Sequence, residues 1–294
     1  MFGLFGTYLR MIKFSHSIFA LPFAGIAFIQ ALPETSLIVN GSVTPAFFRM
    51  LALIVVCMVA LRSAAMGFNR LVDREFDAKN PRTQVREIPS GKLSVSSVWI
   101  FVIVSLAVFE IAAYLISNVC AILAPVAALI VLGYSYTKRF TWLCHFFLGA
   151  AIGLSPAATS IAMTGSPSES ALLWTAGLAL YIAGFDILYA CQDIDFDRSA
   201  GLNSLPARFG LGPALTVARI SHVLALSFFG WAAYVSKAGL VFFAFLAVVA
   251  SLFLVEHILV RPGKLEKIPI AFFNVNAAIS SVLFVGLLAD QWIH

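Results

Sequence analysis

The sequence predicts an all-α polytopic membrane protein, with about nine transmembrane helices around a central cavity open to the cytoplasmic face. Three observations carry that class. The 294 residues are 61% hydrophobic and only 11% charged, with mean hydropathy +0.96, whereas soluble domains carry about a quarter charged residues. Apolar runs of the roughly 20 residues needed to cross a bilayer recur along the whole chain. The few charges fall almost entirely on alternate connections.

The runs lie at 12–32, 46–68, 96–116, 119–134, 141–163, 170–190, 214–235, 239–258 and 269–290. Only Ser117 and Asn118 separate the third from the fourth, so eight spans is the competing count. Alternating the connections puts Arg10, Lys13, the six basic residues after span two, Lys138, Arg139, Arg198, Arg208, Arg261, Lys264 and Lys267 on one side. That is fifteen of the 19 Lys and Arg residues. The positive-inside rule places this side in the cytoplasm. Eight spans would destroy the asymmetry, which favours nine. The N-terminal run lacks a small-residue cleavage site and reads as the first span rather than a signal peptide. Cys57, Cys120, Cys144 and Cys191 are widely spaced and read as small apolar side chains, not as disulfides or zinc ligands. No stretch has soluble composition for long enough to make a second domain, so residues 1–294 read as one membrane domain. Its expected surroundings are a lipid bilayer, with no nucleic-acid partner.

Two acidic motifs close spans two and six. In the first, Asn69, Asp73 and Asp77 recur every four residues, a step that turns a helix only about 40° beyond one revolution. They share one face and Glu75 points away. In the second, the same arithmetic groups Asp186, Asp193 and Asp197, with Asp195 opposite. The segments DREFD and DIDFD are 120 residues apart, which suggests an internal duplication closing two half-sites on one ligand. Hard oxygen donors of this kind suit Mg²⁺, which keeps several waters and bridges to phosphates. The plain alternative is a pair of solvated helix ends. The repetition of the motif at the expensive membrane boundary argues against it; Glu75 and Asp195 are assigned to that plain role.

A metal-bound diphosphate also calls for cations. Arg82 and Arg86 follow the first motif, and Lys138 and Arg139 lie in the next connection on the same side. They are candidates to grip phosphate oxygens, by forked contacts from Arg and point charge from Lys. Loop cations also serve topology, and that is the competing role for each. Arg62 lies inside span two, on the face of Asn69, and needs either a substrate anion or a carboxylate as partner. Asp186 is placed to receive a phenolic proton or to pair with Arg62, and Tyr189 to line the same pocket. His16 and His222 read as hydrogen-bonded helix-end residues.

These residues resemble the UbiA superfamily of intramembrane aromatic prenyltransferases. Its NxxxDxxxD signature corresponds to Asn69, Asp73 and Asp77, and its YxxxDxxxD signature to Tyr189, Asp193 and Asp197, with Asp186 upstream. The tyrosine–lysine–arginine segment at Tyr136–Arg139 and the run from Arg82 to Gly91 fit as well. The likeness spans essentially the whole chain. It implies Mg²⁺-dependent transfer of a polyprenyl group from its diphosphate to a ring carbon of a hydroxylated aromatic acid, within ubiquinone or menaquinone biosynthesis. The stretch GFDILYACQDIDFDRSAGLNSLPARFG is similar to a bacterial branch whose acceptors are 4-hydroxybenzoate or 1,4-dihydroxy-6-naphthoate. Haem farnesylation and homogentisate or chlorophyllide prenylation are the rivals within the superfamily. An ion-coupled transporter is the rival outside it, but would be expected to hold its charges at mid-membrane in broken helices.

Overall fold

The computed structural model describes residues 2–13, 19–268 and 271–293. Its helices are α1 (Phe2–Met11), α2 (Leu21–Ala31), α3 (Pro45–Lys79), α4 (Val95–Ile116), α5 (Asn118–Thr137), α6 (Cys144–Gly153) and α7 (Ser155–Thr164). There follow α8 (Glu169–Ala190), α9 (Ile194–Ser199), α10 (Leu205–Phe209), α11 (Leu211–Val235), α12 (Leu240–Leu259) and α13 (Asn276–Ile293). A two-residue-strand hairpin, Ile38–Val39 with Ser42–Val43, precedes α3. Asn40 and Gly41 form its turn at φ 51° and 74°, the left-handed pair that tight hairpins require.

Eight helical segments among the described residues are long and apolar enough to cross a membrane, with α6–α7 and α8–α9 each counted once. Within the first apolar run, expected at 12–32, helix α2 has Pro22 in its first turn and ends in a single 3₁₀ turn containing Pro33. Residues 14–18, including His16, lie outside the described residues. Short connection or not, α4 and α5 are separate helices. Ser117 adopts an extended backbone (φ −166°, ψ 161°) and its hydroxyl accepts from Cys120 N, so one residue stops α4 and caps α5. Span five breaks at Leu154, since Pro156 in the first turn of α7 cannot donate to the turn before it.

Helix α8 is the hub, packed against α6 and α11 with α2 alongside. Small residues let the backbones approach closely. A Cβ on Gly149 would lie 2.1 Å from the Ala179 carbonyl oxygen, and one on Gly184 would lie 2.3 Å from the His222 ring. Around α8 an aromatic core forms: Phe23, Trp174, Tyr181, Phe229 and Phe242 are fully buried. Trp174 stacks on Phe229 at 5.3 Å. Outward, Ile100, Ile111, Ile122 and Leu129 of α4 and α5 are at least 60% exposed, as lipid-facing residues are. At the end remote from the acidic motifs, Asp290 accepts from Gly239 N (2.7 Å) and Phe242 N (3.1 Å) and caps α12. The four cysteines are free.

Candidate active site

The last turns of α3 carry Asn69, Asp73 and Asp77 beyond the apolar stretch, in one unbroken 35-residue helix. Asn69 Nδ2 donates to Asp73 Oδ2 at 2.9 Å. Asp77 is buried, and Glu75 is exposed. The second motif is built differently from the ideal helix that its spacing suggests. A 3₁₀ turn, Cys191–Asp193, separates α8 from α9 and overwinds the chain. Asp186, Asp193 and Asp197 therefore fan out to three different sets of partners. Asp193 and Asp197 are buried and Asp195 is exposed.

All four basic residues picked from the sequence reach aspartates. Arg82 forks onto Asp193, with Nε 2.9 Å from Oδ1 and Nη2 2.5 Å from Oδ2. Its Nη1 donates to the Tyr189 hydroxyl at 2.8 Å. The loop after the first motif thus grips the second motif. Arg86 Nη1 meets both oxygens of Asp77, at 2.6 and 2.8 Å. Lys138 Nζ lies 2.8 Å from Asp197 Oδ1. Burial opposes the Lys138 charge, but Asp197 holds it above the ordinary lysine value. Arg139 Nη2 lies 3.6 Å from Asp73 Oδ1 and donates to Val72 O.

Five contributors were not picked out by motif spacing. Asn80 Nδ2 donates to Asp193 at 3.2 Å and Ser204 Oγ to Asp197 at 2.6 Å. Ser204 caps α10, which has Pro206 in its first turn, a pairing that marks a helix start. Lys13, counted only for topology, and Arg70 line the cavity beneath the motifs. His145 meets Asp186, with Nδ1 2.6 Å from Oδ2.

The cavity has a volume of about 520 Å³ and is walled by α3, α4, α5, α6, α7 and α8. Its lining is largely aliphatic; Arg62, Asn69, Arg70, Tyr134, Asp186 and Tyr189 are among its polar residues. Arg62 does not pair with Asp186, which His145 occupies instead. Its Nε is buried without a hydrogen-bond partner, and no ion pair to it is present among the described residues. On one flank Leu123, Val126 and Ile130 of α5 and Ala158 of α7 both line the cavity and remain exposed. The cavity opens there onto the apolar side of the bundle. His222 lies outside it and is no helix-end residue: mid-way along α11, it contacts His257 at 3.1 Å and Glu256 at 3.5 Å in a buried cluster.

The donor chemistry of the motifs fits a hard divalent cation. Asp197 Oδ1 is buried without an aligned hydrogen bond, Lys138 being its charged neighbour, so it keeps a lone pair for a ligand. Among the described residues no group of three or more His, Cys, Asp or Glu side chains is disposed to hold a metal ion by itself.

A family model described as the UbiA prenyltransferase family matches residues 21–280. A 4-hydroxybenzoate octaprenyltransferase of Alkalilimnicola ehrlichii is 28% identical over 243 residues, 82% of each chain. The apo structure of a UbiA homolog from Aeropyrum pernix superposes with a TM-score of 0.81 at 28% identity, covering 94% of this chain and 98% of that one. A UbiA homolog from Archaeoglobus fulgidus, bound to DMAPP and Mg²⁺, has a TM-score of 0.73 at 18% identity, covering 98% and 100%.

Proposed function

Because this chain belongs to the UbiA prenyltransferase family, we propose that it moves a polyprenyl group from its diphosphate to a ring carbon of 4-hydroxybenzoate or 1,4-dihydroxy-6-naphthoate, in respiratory quinone biosynthesis. One observation carries the reading. The half-buried Asp73 and the buried Asp77, Asp193 and Asp197 stand with their cations beside an apolar cavity that Asn69, Arg86 and Tyr189 line, and an arginine with an unpartnered nitrogen and an oriented carboxylate lie in its wall.

Asn69, Asp73, Asp77, Asp193 and Asp197 would hold Mg²⁺, which when bound neutralises the diphosphate as it departs. Arg82, Arg86, Lys138 and Arg139 sit on those same carboxylates and can turn to phosphate oxygens once the aspartates are engaged. Arg62 offers its guanidinium to the acceptor's carboxylate. Asp186 and Tyr189 face the hydroxyl-bearing ring. The aliphatic wall shields the allylic cation from water and receives the tail, which can enter through the flank between α5 and α7. The loops bearing the motifs are assigned to the cytoplasmic side on the charge asymmetry.

The test offers each acceptor separately to purified protein, with Mg²⁺ and polyprenyl diphosphates of several lengths. Transfer to one of the two acids is expected, and EDTA should stop it. Arg62→Ala should raise the KM for the acid about 30-fold, as loss of a charge-assisted bond implies, and leave that for the diphosphate nearly unchanged. Equal rises in both would assign Arg62 to packing.

Lys13 adds a pH dependence. Burial, then Arg70, Arg86 and Arg82, push its ammonium down to about 8. Lys13 is therefore cationic below that pH and neutral above it, and a diphosphate is drawn to the cationic form. The donor's KM should rise roughly three- to tenfold between pH 7 and pH 9, and Lys13→Met should flatten that rise.

A further inference from the structure

His145 stands in the first turn of α6 and is 2% exposed. Its two ring nitrogens have different partners. Leu205 N, at the start of α10, lies 3.2 Å from Nε2. A backbone amide can only donate, so Nε2 is the bare acceptor nitrogen. The ring hydrogen is therefore on Nδ1, which donates to Asp186 Oδ2 at 2.6 Å. The tautomer is fixed by the fold. The ring cannot pass a proton onward, because its far nitrogen faces an amide.

The amide that sets the ring belongs to the segment that supports the second motif. Ser204, immediately before Leu205, caps α10 and donates to Asp197 Oδ2 at 2.6 Å. On the other side of the ring, Asp186 lines the cavity with a quarter of its side chain accessible. One oxygen is engaged, and its orientation is set by a chain that starts at the second aspartate motif.

We propose that His145 is a positioning residue for acceptor activation: it holds Asp186 as an aimed carboxylate that takes the hydroxyl proton of the aromatic acceptor. The proposal rests on the prenyl-transfer reading above. In the step, the O–H electron pair flows into the ring as the proton passes to Asp186. The ring carbon beside the hydroxyl forms the new C–C bond, and the allylic C–O bond breaks with its pair leaving on the diphosphate. The ring proton at that carbon is then lost to the diphosphate, and the Asp186 proton returns to the oxygen. The products are the prenylated phenol and protonated diphosphate.

The test compares His145→Gln with His145→Leu. A glutamine amide can donate to Asp186 and accept from Leu205 N, so it can replace both bonds; leucine fills the space and makes neither. Each variant is assayed with 4-hydroxybenzoate and with a ring-fluorinated 4-hydroxybenzoate whose hydroxyl is already ionised at the assay pH. Ratios between acceptors within one preparation do not depend on how much protein is folded. With 4-hydroxybenzoate, His145→Leu should lose about 100-fold in kcat, in the range of a general base. Its KM for the diphosphate should stay within about twofold of wild type. With the ionised acceptor the deficit should shrink to about threefold, and His145→Gln should stay within about fivefold of wild type on both. An equal deficit on both acceptors, or a glutamine variant as poor as leucine, overturns the positioning role. A wild type that prenylates neither hydroxylated acid overturns the functional reading, and the role of His145 falls with it.

Discussion

Asp193→Ala and Asp73→Ala should each abolish Mg²⁺-dependent prenyl transfer while the protein still inserts into the membrane. Each removes a hard oxygen donor from one half of the proposed metal site. A carboxylate at such a site supports several kcal/mol of charge stabilisation, so the loss should be on the order of 1000-fold or more. Insertion should survive, because both residues lie at the ends of their spans and not in the apolar windows that direct it. Asp193→Ala does leave Arg82 without its fork. That guanidinium is a third exposed and can be rehydrated. Activity per unit of membrane-extracted protein, set beside an immunoblot of the membrane fraction, makes the measurement. Full activity in both variants would remove the aspartates from the reaction.

Gly149→Ala should be the most damaging conservative change in the bundle. The added Cβ would lie 2.1 Å from the Ala179 carbonyl oxygen, and backbone cannot swing aside as a side-chain tip can. Helix α6 must move away from α8, at about 3 kcal/mol or more, the upper range for overpacking. His145 is one turn from Gly149 and Asp186 two turns from Ala179, so the same displacement parts that pair. Gly133→Ala and Gly212→Ala are the controls, because a Cβ at either meets nothing within 4 Å. The midpoint of thermal aggregation in detergent should fall steeply for Gly149→Ala and stay level or rise for the controls. If all three behave alike, the α6–α8 contact is softer than described.

Hydropathy made most of the bundle legible, and the reason is physical: lipid forces each span to satisfy its own backbone, so helices announce themselves locally. Runs 96–116, 170–190, 214–235 and 239–258 agree with α4, α8, α11 and α12 to within three residues at each end. The four-residue spacing of Asn69, Asp73 and Asp77 likewise located a real face, because α3 continues unbroken through it. Readability failed where partners come from elsewhere in the chain. His145 is a lone histidine in an apolar run, and nothing local indicates that its carboxylate lies 41 residues on. Pairing with Arg62 is one of the two roles that position alone suggests for Asp186, but the close approach at Gly149 brings a histidine there first. The 3₁₀ turn at Cys191–Asp193 was invisible for another reason: overwinding three residues leaves no mark in composition.

The open flank between α5 and α7 changes what concentration means for this enzyme. A donor that reaches the cavity through the side of the bundle is presented by the bilayer, in two dimensions, and its effective dose is a mole fraction. Diluting the membrane with inert lipid at constant total donor should slow the reaction as surely as withholding substrate. The proposed acceptor, an acid that dissolves in water, should be indifferent to that dilution. The two substrates of one cavity would thus obey separate mass-action laws, one areal and one volumetric.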